Sequence, residues 1–218
     1  MITSAIEKLS SGMPAAIFLR HGERFDIADN ENGLKVGLTS KGKKDAFELG
    51  RNFPLRGEFI IYHSPVDRCK ETAEAMQKGF AAAGKSVGVA GSLSGLGGPL
   101  IKGRREVMLK EIKRLGDGFN RQWLKGNLAD LMRSPEETAK SSLLIAAEQL
   151  NDAVGNIINI THDLNIIAFR EYYFGLRHED IGIPEFLDGF AVQRHIDGTF
   201  SLLSVNKEAR AGIDGSRI

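Results

Sequence analysis

Apolar positions along the chain fall into short continuous runs separated by longer stretches of mixed polarity. Residues 58–63 and 156–161 form two runs that mix apolar with polar side chains, and the run at residues 15–19 is apolar at every position. Because such runs bury both faces of a strand, they are typical of central strands in a parallel sheet. Three parallel strands are therefore predicted at these positions.

Helix signals lie between and after these runs. Thr39 is a plausible N-cap for a helix that reaches about Phe53, and Ser64 and Ser134 are each followed by proline, a pattern typical of a helix start. A further helix is expected to follow the third run and to reach Phe174. Strands that alternate with helices predict a three-layer α/β/α sandwich with a mostly parallel sheet.

The segment from about 84 to 135 departs from this alternation. Residues 84–103 are rich in glycine and predict a short strand with a long loop, and residues 104–132 have irregular helical spacing. We expect a helical cap inserted at about 84–135 into a single domain of residues 1–218.

The closing part of the chain predicts a hairpin. Two apolar runs flank Asp197-Gly198, a dipeptide that favours tight turns between antiparallel strands. The polar tail that follows, residues 207–218, is predicted to be poorly ordered.

Composition and charge exclude several classes of protein. The 218 residues contain 29 Lys and Arg against 28 Asp and Glu, a net charge of +1, so no overall field favours nucleic acid or an anionic membrane. Cys69 is the only cysteine, which rules out an intrachain disulfide, and it is expected to be a small buried side chain. The N-terminal residues lack the pattern of a secretory signal, and no apolar run is long enough for a membrane helix. We expect a cytoplasmic protein.

Charged and imidazole side chains collect where the three predicted parallel strands end. Because the carboxyl ends of parallel strands meet at one edge of a sheet, these side chains are expected to converge on a single crevice. They are Arg20, His21, Arg24, His63, Arg68, His162 and Asp163.

This set of side chains fits phosphoryl transfer. Guanidinium groups match phosphate oxygens and stay charged, and fixed cations stabilise the charge that develops in the transition state. A neutral imidazole can attack phosphorus, and a protonated carboxyl can protonate the departing oxygen. The sequence therefore predicts chemistry through a phosphohistidine.

Four motifs carry a resemblance to a known family. Arg20-His21-Gly22-Glu23-Arg24 resembles the "RHG" motif of the histidine phosphatase superfamily, which includes the phosphoglycerate mutases. The stretches "GLTSKGKKDAFELG", "YHSPVDRCKETAEAM" and "INITHDLNI" are similar to three further segments of that family, in the family's order. The similarity covers roughly residues 15–80 and 156–175, and it implies the phosphoglycerate mutase-like fold.

The resemblance also implies roles for individual residues. His21 would attack phosphorus, and neither a metal nor another cofactor is expected. Asp163, directly after the second histidine, looks like the proton donor of the acid-phosphatase-like branch, whereas the mutase-like branch uses a Glu of the middle segment. The side chains implied to hold the phosphoryl oxygens are Arg20, Arg24, Arg68 and His162.

Several alternatives stay open at this point. Asp163 is also placed to serve only as a helix N-cap, with Glu106 and Glu111 as rival acids. His63 is equally compatible with packing and with a substrate contact. Asp26 stands where acid-phosphatase-like proteins often have proline, so the branch is open too.

The favoured function is a metal-independent phosphomonoester hydrolase acting on a small phosphorylated molecule, or on a phosphoprotein. A phosphomutase would use the same pocket but return the phosphoryl group to an organic acceptor. A non-catalytic module that binds phosphorylated ligands is the third hypothesis. The sequence leaves the substrate and the oligomeric state open.

Overall fold

The central element of the fold is a seven-stranded sheet. The computed structural model describes residues 2–9, 12–27, 33–101, 103–204 and 207–212. The strands are β1 (Ala15–Arg20), β2 (Phe59–His63), β3 (Val87–Ser92), β4 (Asn156–Thr161), β5 (Gly189–Arg194), β6 (Phe200–Ser204) and β7 (Lys207–Ala211). Their order across the sheet is β3-β2-β4-β1-β5-β6-β7. Strands β1 to β4 run parallel, and β5 to β7 extend one side of the sheet as antiparallel strands.

Helices cover both faces of this sheet. The helices are α1 (Thr3–Ile6), α2 (Ser40–Arg51), α3 (Asp67–Ala82), α4 (Arg105–Leu115), α5 (Phe119–Leu124), α6 (Pro135–Asn151), α7 (Asp163–Phe174) and α8 (His178–Ile181). Helices α1, α2 and α3 pack on one face of the sheet, and α6 and α7 pack on the other. This arrangement confirms the predicted α/β/α sandwich with a parallel core.

Strand β1 shows why the apolar runs form the middle layer. Side chains alternate across a strand, so Ile17 and Leu19 enter the core beneath α2 and α3, while Phe18 enters the core beneath α6 and α7. Phe18 stacks on Phe190 of β5 with ring centroids 4.7 Å apart. A strand that is apolar at every position is therefore buried from both sides.

Close packing of α2 against the loop after β1 depends on a glycine. A Cβ atom at Gly42 would lie 2.0 Å from the backbone oxygen of Glu23. The hydroxyl of Thr39 accepts a hydrogen bond from the Gly42 N–H at 2.9 Å, which confirms Thr39 as the N-cap of α2. The glycine thus brings the helix start directly against the loop that follows His21.

The chain between β3 and α6 adds a smaller apolar cluster at the side of α7. Helices α4 and α5 contribute most of this cluster, which packs against Leu164 and Ala168 of α7. Because α7 begins at Asp163, these helices lie beside the start of a helix that the sequence predicts to carry a site residue. The main side chains of the cluster are Met108, Leu115, Phe119, Trp123, Leu128 and Met132.

The prediction of a poorly ordered tail is wrong for residues 207–211. These residues form β7, which pairs with β6 and buries only Ala211 fully. An edge strand needs little apolar burial, because backbone hydrogen bonds to its neighbour hold it and charged side chains suit the exposed edge. Residues 213–218 lie outside the described part of the chain.

Candidate active site

Three neighbouring strand ends form one crevice. Strand β4 lies between β2 and β1, with Arg20 paired to Thr161 and His63 paired to Ile160. The residues that follow these positions therefore emerge side by side at the same edge of the sheet. This confirms that parallel strands end together here, as expected for a binding crevice of an α/β sheet.

His21 is buried at the end of β1 with a fixed ring orientation. Its Nδ1 lies 2.8 Å from the carbonyl oxygen of Gly22. A carbonyl can only accept, so Nδ1 carries the proton and Nε2 carries the lone pair. Arg68 Nε donates a hydrogen bond to that lone pair at 3.0 Å. The ring thus presents an unprotonated Nε2 towards a cation.

Arg68, at the start of α3, connects both histidines of the crevice. Besides its bond to His21, its Nη2 donates to His162 Nδ1 at 3.2 Å. The ring centroids of the two histidines are 5.6 Å apart. The other terminal nitrogen of Arg68 donates to the carbonyl oxygen of Gly33 at 2.8 Å. The guanidinium is therefore held from three directions between two imidazoles.

His162 follows β4 and is oriented by a buried serine. Since Arg68 can only donate, His162 Nδ1 accepts and its Nε2–H points to Ser64 Oγ, 2.9 Å away. The sequence predicted Ser64 as the N-cap of α3, and this is wrong: Val66 is the N-cap, and it makes no side-chain capping bond. Ser64 is fully buried and bonds His162 instead.

Both imidazoles are strongly biased towards the neutral form. Burial, followed by the nearby His162, lowers the pKa of His21 to about 2. Burial, followed by the charge of Arg68, lowers the pKa of His162 to about 3. A low dielectric surrounding disfavours the charged form of a base, and neighbouring cations add to that effect. The unprotonated Nε2 of His21 is therefore available at neutral pH.

Arg20 and Asp163 form an ion pair at the other side of His21. Arg20 Nη2 lies 3.1 Å from Asp163 Oδ2, and the Asp163 side chain is 36% exposed. Asp163 is the first residue of α7, with Oδ1 accepting from the Leu164 N–H at 2.9 Å. Arg20 also donates to the Pro184 carbonyl oxygen at 2.6 Å, while its buried Nε has no hydrogen-bond partner among the described residues.

Arg24 stands apart from this cluster. Its Nη1 donates to the backbone oxygen of Phe25 at 2.8 Å, and in the described part of the chain no hydrogen bond joins it to either histidine. Its charge nevertheless contributes to the lowered pKa of Arg20 and of Arg68, after the larger effect of burial. Arg24 therefore lies near the pocket without forming its floor.

The rival candidates lie in other surroundings. Glu111 is paired with Arg114 of the same helix at 2.6 Å, and Glu106 is exposed. His63 is buried, and its Nδ1 bonds the Ser64 carbonyl oxygen at 2.9 Å. Cys69 is fully buried, and burial raises the pKa of its thiol to about 12, so the thiol stays protonated.

Two supporting features were given no role by the sequence reasoning. Thr72 accepts a hydrogen bond from the Gly22 N–H at 3.0 Å and donates to the Arg68 carbonyl oxygen at 2.7 Å, so it ties α3 to the loop after β1. Its place in the "YHSPVDRCKETAEAM" stretch was the available signal. The segment before β5, including Pro184 and Phe186, carries no sequence signal of a site.

One group with metal-ligand chemistry occurs among the described residues. Glu171, His178 and Glu179 place one potential ligand atom each within 4.8 Å of one another. Arg121 forms ion pairs with both carboxylates, at 2.5 Å to Glu171. The guanidinium of Arg121 already occupies both carboxylates of this group, which lies on α7 and α8 and shares no residue with the histidine crevice.

The comparison with protein families identifies the class. A family model described as the histidine phosphatase superfamily (branch 1) matches residues 16–181. This range contains both histidines of the crevice, the half-buried Arg20 and Arg68, and Asp163. The chain belongs to the histidine phosphatase superfamily.

Solved structures show the same fold at low sequence identity. The phosphoglycerate mutase of Bacillus anthracis str. Sterne is 18% identical with a TM-score of 0.59, covering 89% of this chain and 93% of that one. A mycobacterial glucosyl-3-phosphoglycerate phosphatase is 16% identical with a TM-score of 0.53, covering 84% and 91%. A phosphoserine phosphatase from Entamoeba histolytica is 17% identical with a TM-score of 0.51, covering 83% and 90%. No curated protein matches this chain in sequence.

Within the described ranges, none of the helices has the length and hydrophobicity needed to cross a membrane.

Proposed function

We propose that this protein is a metal-independent phosphomonoester hydrolase that works through a phosphohistidine at His21. The observation that carries the proposal is the pair of hydrogen bonds on that ring. The Gly22 carbonyl oxygen accepts a hydrogen bond from Nδ1–H, and Arg68 Nε donates a hydrogen bond to the lone pair on Nε2. An imidazole fixed in this tautomer, and kept neutral by burial, is a prepared nucleophile.

The cations around the ring suit a phosphoryl group. Arg68 donates to two imidazole nitrogens, and phosphate oxygens, which are stronger acceptors, can take over these bonds when a substrate enters. The unpartnered Nε–H of Arg20 offers a further donor. Arg20, Arg68 and His162 are proposed to hold the phosphoryl oxygens, with Arg24 acting from the edge of the pocket.

The reaction has two steps. Nε2 of His21 attacks phosphorus, the bond from phosphorus to the ester oxygen breaks, and Asp163 gives its proton to that oxygen. Water then attacks the phosphohistidine while Asp163 takes a proton from the water, which returns His21 and releases phosphate. Both steps balance without a metal or a redox partner.

Asp163 must be protonated before the first step. In the substrate-free site its carboxylate is paired with Arg20 at 3.1 Å. A bound phosphate dianion competes for that guanidinium and places negative charge beside the carboxylate, and both effects favour proton uptake. Asp163 is therefore proposed to become competent when substrate binds. In the described structure no ion pair joins Glu106 or Glu111 to Arg20: Glu111 pairs with Arg114 of its own helix, and Glu106 is exposed.

The test is hydrolysis of a panel of phosphomonoesters by the wild-type protein, His21→Ala and Asp163→Asn. We expect the first variant to lose activity and to form no acid-labile, base-stable phosphoprotein. The second should lose activity on alkyl esters far more than on p-nitrophenyl phosphate, whose leaving group needs no proton. His195→Asn, on the hairpin between β5 and β6, is the control for loss of an imidazole.

Three results would contradict the proposal. Hydrolysis by His21→Ala at the wild-type rate would exclude His21 as nucleophile. Transfer of phosphate to an added alcohol in preference to water would indicate a mutase or phosphotransferase. Tight phosphate binding without turnover of any ester would indicate a binding module.

A further inference from the structure

The segment before β5 forms a wall of the candidate site and is attached to both β1 and α7. The Arg20 N–H donates to the Asp188 carbonyl oxygen at 2.8 Å, and the Leu187 N–H donates to the Arg20 carbonyl oxygen at 3.1 Å. A buried ion pair between Asp188 and Arg170, at 2.7 Å, anchors the segment from the opposite side. Leu187 has a φ of 61°, in the left-handed region that residues other than glycine adopt only where their surroundings hold them.

This wall places an aromatic ring beside the reacting groups. The Cζ atom of Arg20 lies 4.2 Å from the centroid of the Phe186 ring, and the Phe186 and His21 ring centroids are 5.8 Å apart. Phe186 is only half-buried. Since Arg20 also holds Asp163, a leaving group that reaches Asp163 passes close to the Phe186 ring.

The edge of the pocket carries further exposed apolar side chains. Each lies on a segment that supplies a backbone carbonyl to one of the site's arginines. A single exposed apolar side chain is common on a protein surface. Three such side chains around one cationic site favour a ligand that is anionic at one end and apolar at the other. They are Phe25, Leu34 and Ile183, which are 60%, 57% and 43% exposed.

We infer that Phe186 determines the substrate specificity of this site, and that the preferred substrates are phosphomonoesters of phenols. This inference rests on the proposed function. The phosphoryl group occupies the cationic floor, and the aromatic leaving group stacks on the exposed part of the Phe186 ring. Offset stacking of two rings adds to the burial of apolar surface. A phenoxide is also a better leaving group than an alkoxide, which suits an acid that starts as a paired carboxylate.

The first test measures binding without turnover. Isothermal titration calorimetry with phenylphosphonate and n-butylphosphonate compares an aromatic and an aliphatic group on the same anion. We expect the phenyl compound to bind about tenfold more tightly to the wild-type protein, and Phe186→Ala to remove that difference. Equal affinities in the wild type, or a preference retained in Phe186→Ala, would overturn the inference.

The second test follows hydrolysis of phenyl phosphate and n-butyl phosphate by the same proteins. Because intrinsic reactivity cancels when variants are compared, the ratio of the two kcat/KM values isolates the contribution of the ring. We expect Phe186→Ala to lower this ratio about tenfold, Phe186→Leu to lower it less, and Ile196→Ala, a fully exposed residue at the opposite edge of the sheet, to leave it unchanged.

The outcomes separate the two proposals. Equal losses on both esters would mean that Phe186 only positions Arg20, and would overturn the inference on specificity. Hydrolysis that depends on His21 but shows no aromatic preference would refute the inference and leave the proposed function standing. A phenylphosphonate preference that depends on Phe186, without hydrolysis of any ester, would refute the proposed function alone.

Discussion

The neutral state of the two buried histidines predicts how the stability of the protein depends on pH. Burial lowers the pKa of His21 to about 2 and that of His162 to about 3. In the unfolded chain an imidazole has a pKa of about 6.5. Below that pH the unfolded chain binds more protons than the folded protein, so the free energy of unfolding falls as the pH falls.

The magnitude follows from the same values. Between about pH 7.5 and about pH 5, each histidine that stays neutral only in the folded protein removes about 2 kcal/mol from the free energy of unfolding. The two together therefore remove about 4 kcal/mol, against a typical total of about 5–15 kcal/mol. The result does not depend on the folded pKa values in detail, because pH 5 lies well above both. Above the unfolded pKa of about 6.5 both states are neutral, so the free energy of unfolding has its full value there.

Urea denaturation at the two pH values measures this loss. Because Gln does not titrate, His21→Gln and His162→Gln should each reduce the pH-dependent loss by about 2 kcal/mol relative to the wild type. Effects of carboxylates cancel in this comparison, and His195→Gln controls for removal of an imidazole. A loss of the same size in the wild type and in both variants would refute the neutral burial of these rings.

Two further predictions concern buried polar contacts. Ser64→Ala leaves the Nε2–H of His162 without its hydrogen-bond partner at 2.9 Å, so kcat/KM should fall about tenfold or more in steady-state assays. Ser64→Thr should restore part of the activity. An unchanged kcat/KM in Ser64→Ala would show that this bond does not orient the ring. Asp188→Asn leaves the buried Arg170 without its counter-charge, so urea denaturation should show a loss of about 3 kcal/mol. Glu208→Gln breaks an exposed ion pair to Lys8 and should cost at most about 1 kcal/mol; equal losses in these two variants would contradict the argument from burial.

Local patterns carried much of the fold. A continuous apolar run predicted β1, because a strand covered on both faces has no polar side, and shorter stretches rich in Ile predicted β2 and β4. Thr39 and the Ser134-Pro135 pair predicted helix starts correctly, since capping involves residues only three positions apart. Ser64 matched the same local pattern but serves His162, a partner 98 residues away along the chain.

The sequence by itself determined which chemical groups are present and that three strand ends carry them. The tertiary structure decided how they are combined: Arg68 lies between two imidazoles, Asp163 is paired with Arg20, and Phe186 lies against both Arg20 and His21. These contacts join segments far apart along the chain, so no local periodicity or spacing encodes them. Their geometry follows from the order of strands in the sheet and from the packing of the segments between them, which are properties of the whole fold.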